Sequence, residues 1–167
     1  ETIPAHVPGI EPAGKVIGHS FDPVAIGVEE EDAKVCGMEP ALTLVSMGNP
    51  HVVVFCRDVA AAPLERLGPI FEHHAWFPNR LNLHLVEVTG RGSVRMRTWE
   101  RGSGITQACG TGACAVCVAC LLEERAESPL EAMLPGGRLR LEWSGESGDS
   151  VSMSGPAADV FECDIDP

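Results

Sequence analysis

Basic side chains are scarce in this sequence. Twelve lysines and arginines stand against 24 aspartates and glutamates, for a formal net charge of −12. A field of that sign repels phosphate backbones and anionic lipid, so neither nucleic acid nor a membrane surface is an expected partner. A small ligand with an ammonium group is compatible with it. Long apolar runs are missing too, none approaching the roughly 20 residues that span a bilayer. The opening stretch, "ETIPAHVPGIEPAGKVIG", lacks the basic-then-apolar order of a secretory signal, and the chain begins at Glu1 rather than Met. The expectation is a processed product, a trimmed chain or the second part of a longer one. No internal repeat is visible. What is present is a folding composition, 44% hydrophobic and 22% charged over 167 residues, the size of one domain or two very small ones.

Seven cysteines make an odd number, and four of them (Cys109, Cys114, Cys117 and Cys120) fall within twelve residues. A secreted disulfide scaffold would space them in pairs through its loops. Reduced thiols in a cytoplasmic protein are the better reading.

Residues 1–22 are rich in proline and glycine and read as an extended lead-in or linker. The acidic run "EEEDAK" (29–34) reads as a solvated turn. "ALTLVSM" (41–47) and "HVVVFC" (51–56) are strand-like runs on either side of "GNP", a strong breaker. "APLERLGPIFEHH" (62–74) places Leu64, Leu67, Ile70 and Phe71 at helical spacing, interrupted by Pro69. "NLHLVEV" (82–88) and "SVRMRTW" (93–99) follow as strands, the second setting Val94, Met96 and Thr98 against Arg95, Arg97 and Trp99. "LEAMLPGGRLRLEW" (130–143) reads as two strands about a Gly-Gly turn, with late strands over "SVSMSG" and "ADVFECDI".

"GTGACAVCVACLLEE" (110–124) is the exception, apolar on every side until Glu123. A helix of that kind has to be buried all round. The expected fold class is α+β: a mixed, largely antiparallel curved sheet wrapped around one central apolar helix.

The spacing Cys109-x4-Cys114-x2-Cys117 matches the first three ligand positions of a plant-type iron–sulfur loop, which a distant cysteine such as Cys163 would complete. Against it, "ACAVCVAC" is a buried-helix sequence, and small apolar cysteine belongs among the most buried residue types. Cys114, Cys117 and Cys120 therefore read as core, and no metal is assigned. Cys109 differs. It stands in "QACGTG", where Gly110 and Gly112 let backbone approach a ligand and a helix N-terminus favours negative charge. That setting is expected to lower the thiol's pKa and to seat an anion such as a carboxylate. The ordinary alternative is a cap residue that happens to be cysteine.

"ERGSGITQACGTGACA" (100–115), "MGNPH" (47–51) and "FPNRLN" (77–82), in that order, resemble the C-terminal half of the diaminopimelate epimerases, with "LPGGRLRLEW" and "MSGPAADVF" as closing segments. The resemblance runs from about residue 40 onward. It implies a cofactor-independent enzyme of two lobes, each a sheet around a helix, with one cysteine per lobe on opposite sides of the substrate's α-carbon. Residues 23–167 would be the C-terminal lobe, and an N-terminal lobe carrying the second cysteine would be its partner, with a homodimer as a further assembly. Cys109 would be the acid/base thiol, with His51 and Glu100 adjusting protonation around it. Gly110 and Thr111 would cradle the α-carboxylate of diaminopimelate. Glu100 would hold an ammonium, Arg101 a distal carboxylate, and Asn49 and Asn82 would add amide contacts. His51, beside β-branched valines, also fits a structural place at a strand end. His73, His74 and His84 read as helix-end and strand-surface residues.

Two departures stand out. Ile105 occupies a position where the family often has Glu, and the first-lobe motif, Cys-Gly-Asn-Gly, does not occur. Cys36, in "KVCGMEP", is not assigned the partner role. Other readings are a related amino-acid racemase or isomerase of the same plan, an iron–sulfur electron-transfer module, and a non-catalytic binding remnant.

Overall fold

"HVVVF" and "NLHLV" are apolar without alternation, and a strand of that kind is stable only where both faces of its sheet are covered. The computed structural model describes residues 3, 5–11, 14–146, 148–158 and 162–164. Within them the strands are β1 His19–Ser20, β2 Ala41–Ser46, β3 Pro50–Phe55, β4 Asn82–Gly90, β5 Ser93–Glu100, β6 Gly104–Thr106, β7 Leu130–Leu134, β8 Gly137–Glu142 and β9 Ser152–Ser154. The helices are α1 Glu30–Cys36, α2 Leu64–His73 and α3 Gly110–Leu122.

The strands form one open sheet in the order β1-β2-β3-β4-β5-β7-β8-β9. β6 and β7 share the far edge of β5, pairing with its last and first residues respectively. Only β3/β4 and β5/β7 are parallel, so the sheet is mixed and largely antiparallel, as expected. Each parallel pair needs a crossover, and α2 and α3 supply them. Crossovers between parallel strands are right-handed almost without exception. Because β5 runs opposite to β4, two right-handed crossovers advancing the same way place α2 and α3 on opposite faces.

The core divides accordingly. Leu42, Val52, Val54, Leu83 and Leu85 pack with Leu64, Leu67 and Phe71 of α2. Val45, Val53, Phe55, Val86, Val94 and Met96 pack with Ala113, Val116, Cys117 and Cys120 of α3. The α3 helix lies against β2, β3, β4, β8 and β9. A second helical layer therefore covers the face that the sequence reading left without one. The described part of residues 1–22 lies along the β2 side. Val7 and Val16 are buried there, His6 N–H donates to Trp76 C=O at 2.7 Å, and Leu44 N–H donates to Val16 C=O at 2.9 Å.

Two further expectations are corrected. "EEEDAK" is not a solvated turn but most of α1, with three acids in its first turn and Gly37 in the left-handed conformation (φ 62°) at its C-cap. That pairing is a helix signature, since acids suit the N-terminal dipole and glycine relieves the αL position. Asp32 of α1 is buried, and its carboxylate accepts from Arg66 Nε at 2.8 Å and from Arg66 Nη2. Of the strand expected over "ADVFECDI", residues 159–161 and 165 lie outside the described residues, and residues 158 and 162–164 are not strand. The strand expected over "SVSMSG" is β9.

Candidate active site

The "GACAVCVAC" run brings α3 close to the sheet because nearly every side chain on it is small. Cys109 is its N-cap, in extended conformation (φ −140°, ψ 104°), and its side chain makes no capping hydrogen bond. Ala113 N–H donates to the Cys109 carbonyl at 2.9 Å. The N–H groups of Gly110, Thr111 and Gly112 are those that a helix leaves without an intrahelical partner. Cys109 is 7% exposed, its Sγ lying 3.8 Å from Thr111 Oγ1. Burial pushes its thiol up from the ordinary value, and nearby Glu100 adds to this. The Gly112 N–H and the Thr111 hydroxyl pull the other way without offsetting it. The expectation that the helix end would lower this pKa is thus corrected, because desolvation of the thiolate outweighs the first-turn donors.

Glu100 and Arg101 sit where β5 turns into β6, over glycines with positive φ at 102 and 104 (77° and 80°). Alternation along β5 sends Thr98 and Glu100 to the α3 face and Trp99 to the α2 face. Glu100 Oε1 accepts from Thr106 Oγ1 at 2.6 Å. The turn is held from behind by Asn82, whose Oδ1 accepts from Arg101 N–H at 2.9 Å and whose Nδ2 donates to Pro50 C=O at 2.9 Å. It is also held by Glu72 of α2, which accepts from Gly102 N–H at 3.1 Å and Trp99 Nε1 at 2.7 Å. Burial alone would raise the Glu72 pKa, but those two donors together with His73 and Arg80 bring it below the ordinary value. Trp99 fits only because residue 68 is glycine: a Cβ there would stand 2.1 Å from the indole. Arg101 is exposed, its Nη1 donating to Asn79 C=O at 2.9 Å.

The third part of the site is a row of polar side chains buried across the sheet on the α3 face. His51 (β3) and His84 (β4) are fully buried. His51 Nε2 lies 2.8 Å from Asn49 Oδ1, His51 Nδ1 lies 2.8 Å from His84 Nε2, and His84 Nδ1 lies 2.9 Å from Thr98 Oγ1. Burial lowers the His51 pKa to about 4, with the Arg101 charge contributing. Burial and His51 drive His84 well below the ordinary range. Both rings are therefore neutral at pH 7. His84 is not the strand-surface residue expected from sequence, because the first turn of α3 lies directly over it. A Cβ at Gly112 would stand 2.3 Å from His84 Cε1 and 3.0 Å from Cys109 Sγ.

The structure thus brings Cys109, Gly110, Thr111, Glu100, Arg101, Asn49, His51 and Asn82 to one end of α3 and the adjoining strand ends. Of the other clustered cysteines, Cys117 and Cys120 are buried on α3 and Cys114 is half-buried. Among the described residues, no three His, Cys, Asp or Glu side chains gather as metal ligands. The sequence reading missed His84, Thr98, Glu72 and Gly68. Only His84 left a signal, a lone imidazole between Leu83 and Leu85 and so on the face opposite to them.

The family model for diaminopimelate epimerase matches residues 43–160. The diaminopimelate epimerase of Microcystis aeruginosa is 52% identical over 129 residues, which are 77% of this chain and 46% of that protein. The diaminopimelate epimerase of a Synechococcus strain is 50% identical over 137 residues, 80% of this chain and 48% of that protein. This chain spans about half the length of these relatives. Among solved structures, the Bacillus anthracis phenazine biosynthesis protein of the PhzF family superposes with a TM-score of 0.47 at 19% identity, over 67% of this chain and 37% of that one. With the match spanning most of its strands, the whole of α3 and the turn bearing Glu100 and Arg101, this chain belongs to the diaminopimelate epimerase family.

Proposed function

We propose that this chain is the second lobe of a diaminopimelate epimerase and supplies half of a cofactor-independent, two-cysteine active site that converts LL-diaminopimelate to meso-diaminopimelate. The observation that carries this reading is Cys109 at the uncapped start of α3, its Sγ 3.8 Å from Thr111 Oγ1 and its helix end resting on the buried His84. Inverting a stereocentre requires a proton to leave one face of the α-carbon and another to arrive on the opposite face. Cys109 serves one face. The partner cysteine serves the other and comes from an N-terminal lobe.

In one direction the partner thiolate takes the α-proton and the Cys109 thiol donates its own. In the other direction the roles exchange. As the α-proton leaves, charge moves onto the α-carboxylate, and the N–H groups of Gly110 and Thr111 stabilise it there. Glu100 holds the ammonium, Arg101 clamps the distal carboxylate, and Asn49 and Asn82 add amide contacts. In this reading residues 1–22 lead into the lobe and lend it β1, and residues 23–167 make up the rest, whose curved sheet wraps α3 as a central shaft. The protein is cytoplasmic.

The test is to pair this chain with the N-terminal lobe of a curated relative, verify the complex by gel filtration, and follow inversion of LL-diaminopimelate. Inversion by the complex and none by this chain alone is the expected result. Turnover by the isolated chain, or a complex that inverts only other amino acids, overturns the proposal.

A further inference from the structure

We propose that His84 is a positioning residue of this site, whose Nε2–H holds His51 in the tautomer that donates from Nε2 to Asn49 and so fixes the outward face of the Asn49 amide. The inference rests on the proposed function for its catalytic consequence, but not for the tautomer itself.

The direction of the row follows from what each atom can do. Asn49 Oδ1 only accepts, so the His51 Nε2 facing it at 2.8 Å carries the proton. A neutral His51 then has a bare Nδ1, and the His84 Nε2 at 2.8 Å must donate to it. That leaves His84 Nδ1 as an acceptor, which Thr98 Oγ1–H fills at 2.9 Å. The row is therefore a one-way chain of donors from Thr98 through His84 and His51 to Asn49. With Oδ1 engaged, the group that Asn49 has left for a ligand is its Nδ2 donor, which suits a carboxylate.

Packing alone gives no reason for an imidazole here. A fully buried ring with two polar atoms is stable only when both are satisfied, and here His51 and Thr98 satisfy them. The ring also demands glycine at 112 in the first turn of α3, since a Cβ would strike it. His84 and Cys109 thus share Gly112 as a common boundary, placing the positioning row directly beneath the reactive thiol.

The experiment is a long-range 1H–15N correlation spectrum of 15N-histidine-labelled chain at pH 7, for wild type, His84→Leu and His84→Gln. In wild type both rings are expected as the Nε2–H tautomer. In His84→Leu, His51 should become a mixture of tautomers, and His84→Gln, which returns an amide donor, should restore Nε2–H. A wild-type spectrum showing Nδ1–H on His51, or a His51 tautomer unchanged in His84→Leu, overturns the proposal. The wild-type result alone can do so if the leucine variant does not fold. In the two-lobe complex, kcat/KM should fall about tenfold in His84→Leu and recover in His84→Gln. If wild-type complex is inactive on diaminopimelate, the functional reading fails while the tautomer result stands.

Discussion

The two faces of the sheet are built from different materials. On the α2 face the core is bulky: Leu42, Leu64, Leu67, Phe71, Leu83 and Leu85 are all essentially inaccessible. On the α3 face the helix contributes alanines, cysteines and valines, and the strands set His51, His84 and Thr98 among Val53, Phe55 and Met96. Bulk on one side fixes where the strands and the 100–104 turn stand. Small residues on the other let the start of α3 descend until Cys109, Glu100 and the histidine row meet. The face proposed to do the chemistry is thus positioned largely by the other.

Emptying the bulky side should have the largest effect. Phe71→Ala removes a fully buried ring and should cost about 3–5 kcal/mol of stability by urea unfolding. The two faces should next separate by pH. His51 is held at about pKa 4 against 6.5 for a free histidine, so the unfolded chain binds the extra proton as pH falls through 6.5. The His51 contribution should therefore be complete above about pH 7 and decline by about 2–3 kcal/mol between there and pH 4.5. Buried His84 should add a fall of the same sign, and a His51→Gln variant should lose only the His51 part of that slope. Glu72, on the α2 face, has its pKa lowered, so its contribution is present at neutral pH and is lost only below the ordinary carboxylate range.

Gly68→Ala tests the link between the faces. A methyl there raises helix propensity yet collides with Trp99, so the chain should lose about 1–3 kcal/mol rather than gain. Loosening of the Glu72–Gly102 contact should appear as faster amide exchange at Gly102. The smallest effect expected is that of Cys117→Ala, a trimmed side chain in the α3 shaft. It should lower stability by about 1 kcal/mol and leave the two-lobe activity within twofold of wild type.

Much of this arrangement is legible in the residues. The period of "SVRMRTW", the breaker "GNP" and the all-apolar "GACAVCVACLL" mark β5, the β2–β3 turn and α3 because each obeys a local rule. What is not legible depends on partners distant in sequence. Asp32 is buried by Arg66, Glu72 by Trp99 and the 102 amide, and His84 by a helix that starts 26 residues later. The pKa of Cys109 belongs with these. A helix N-terminus can be read from "ACGTG", but the desolvation that overrides it arises only when the sheet closes beneath.

Cys109 alone among the clustered cysteines is assigned the proton transfer. The most direct measurement is deuterium incorporation at the α-carbon of diaminopimelate in D2O, by the two-lobe complex with and without Cys109→Ala. Wild type should incorporate deuterium and invert, and the variant should lose inversion by at least about a thousandfold, as removal of an essential acid/base group does. Inversion with deuterium uptake surviving in Cys109→Ala would contradict the assignment.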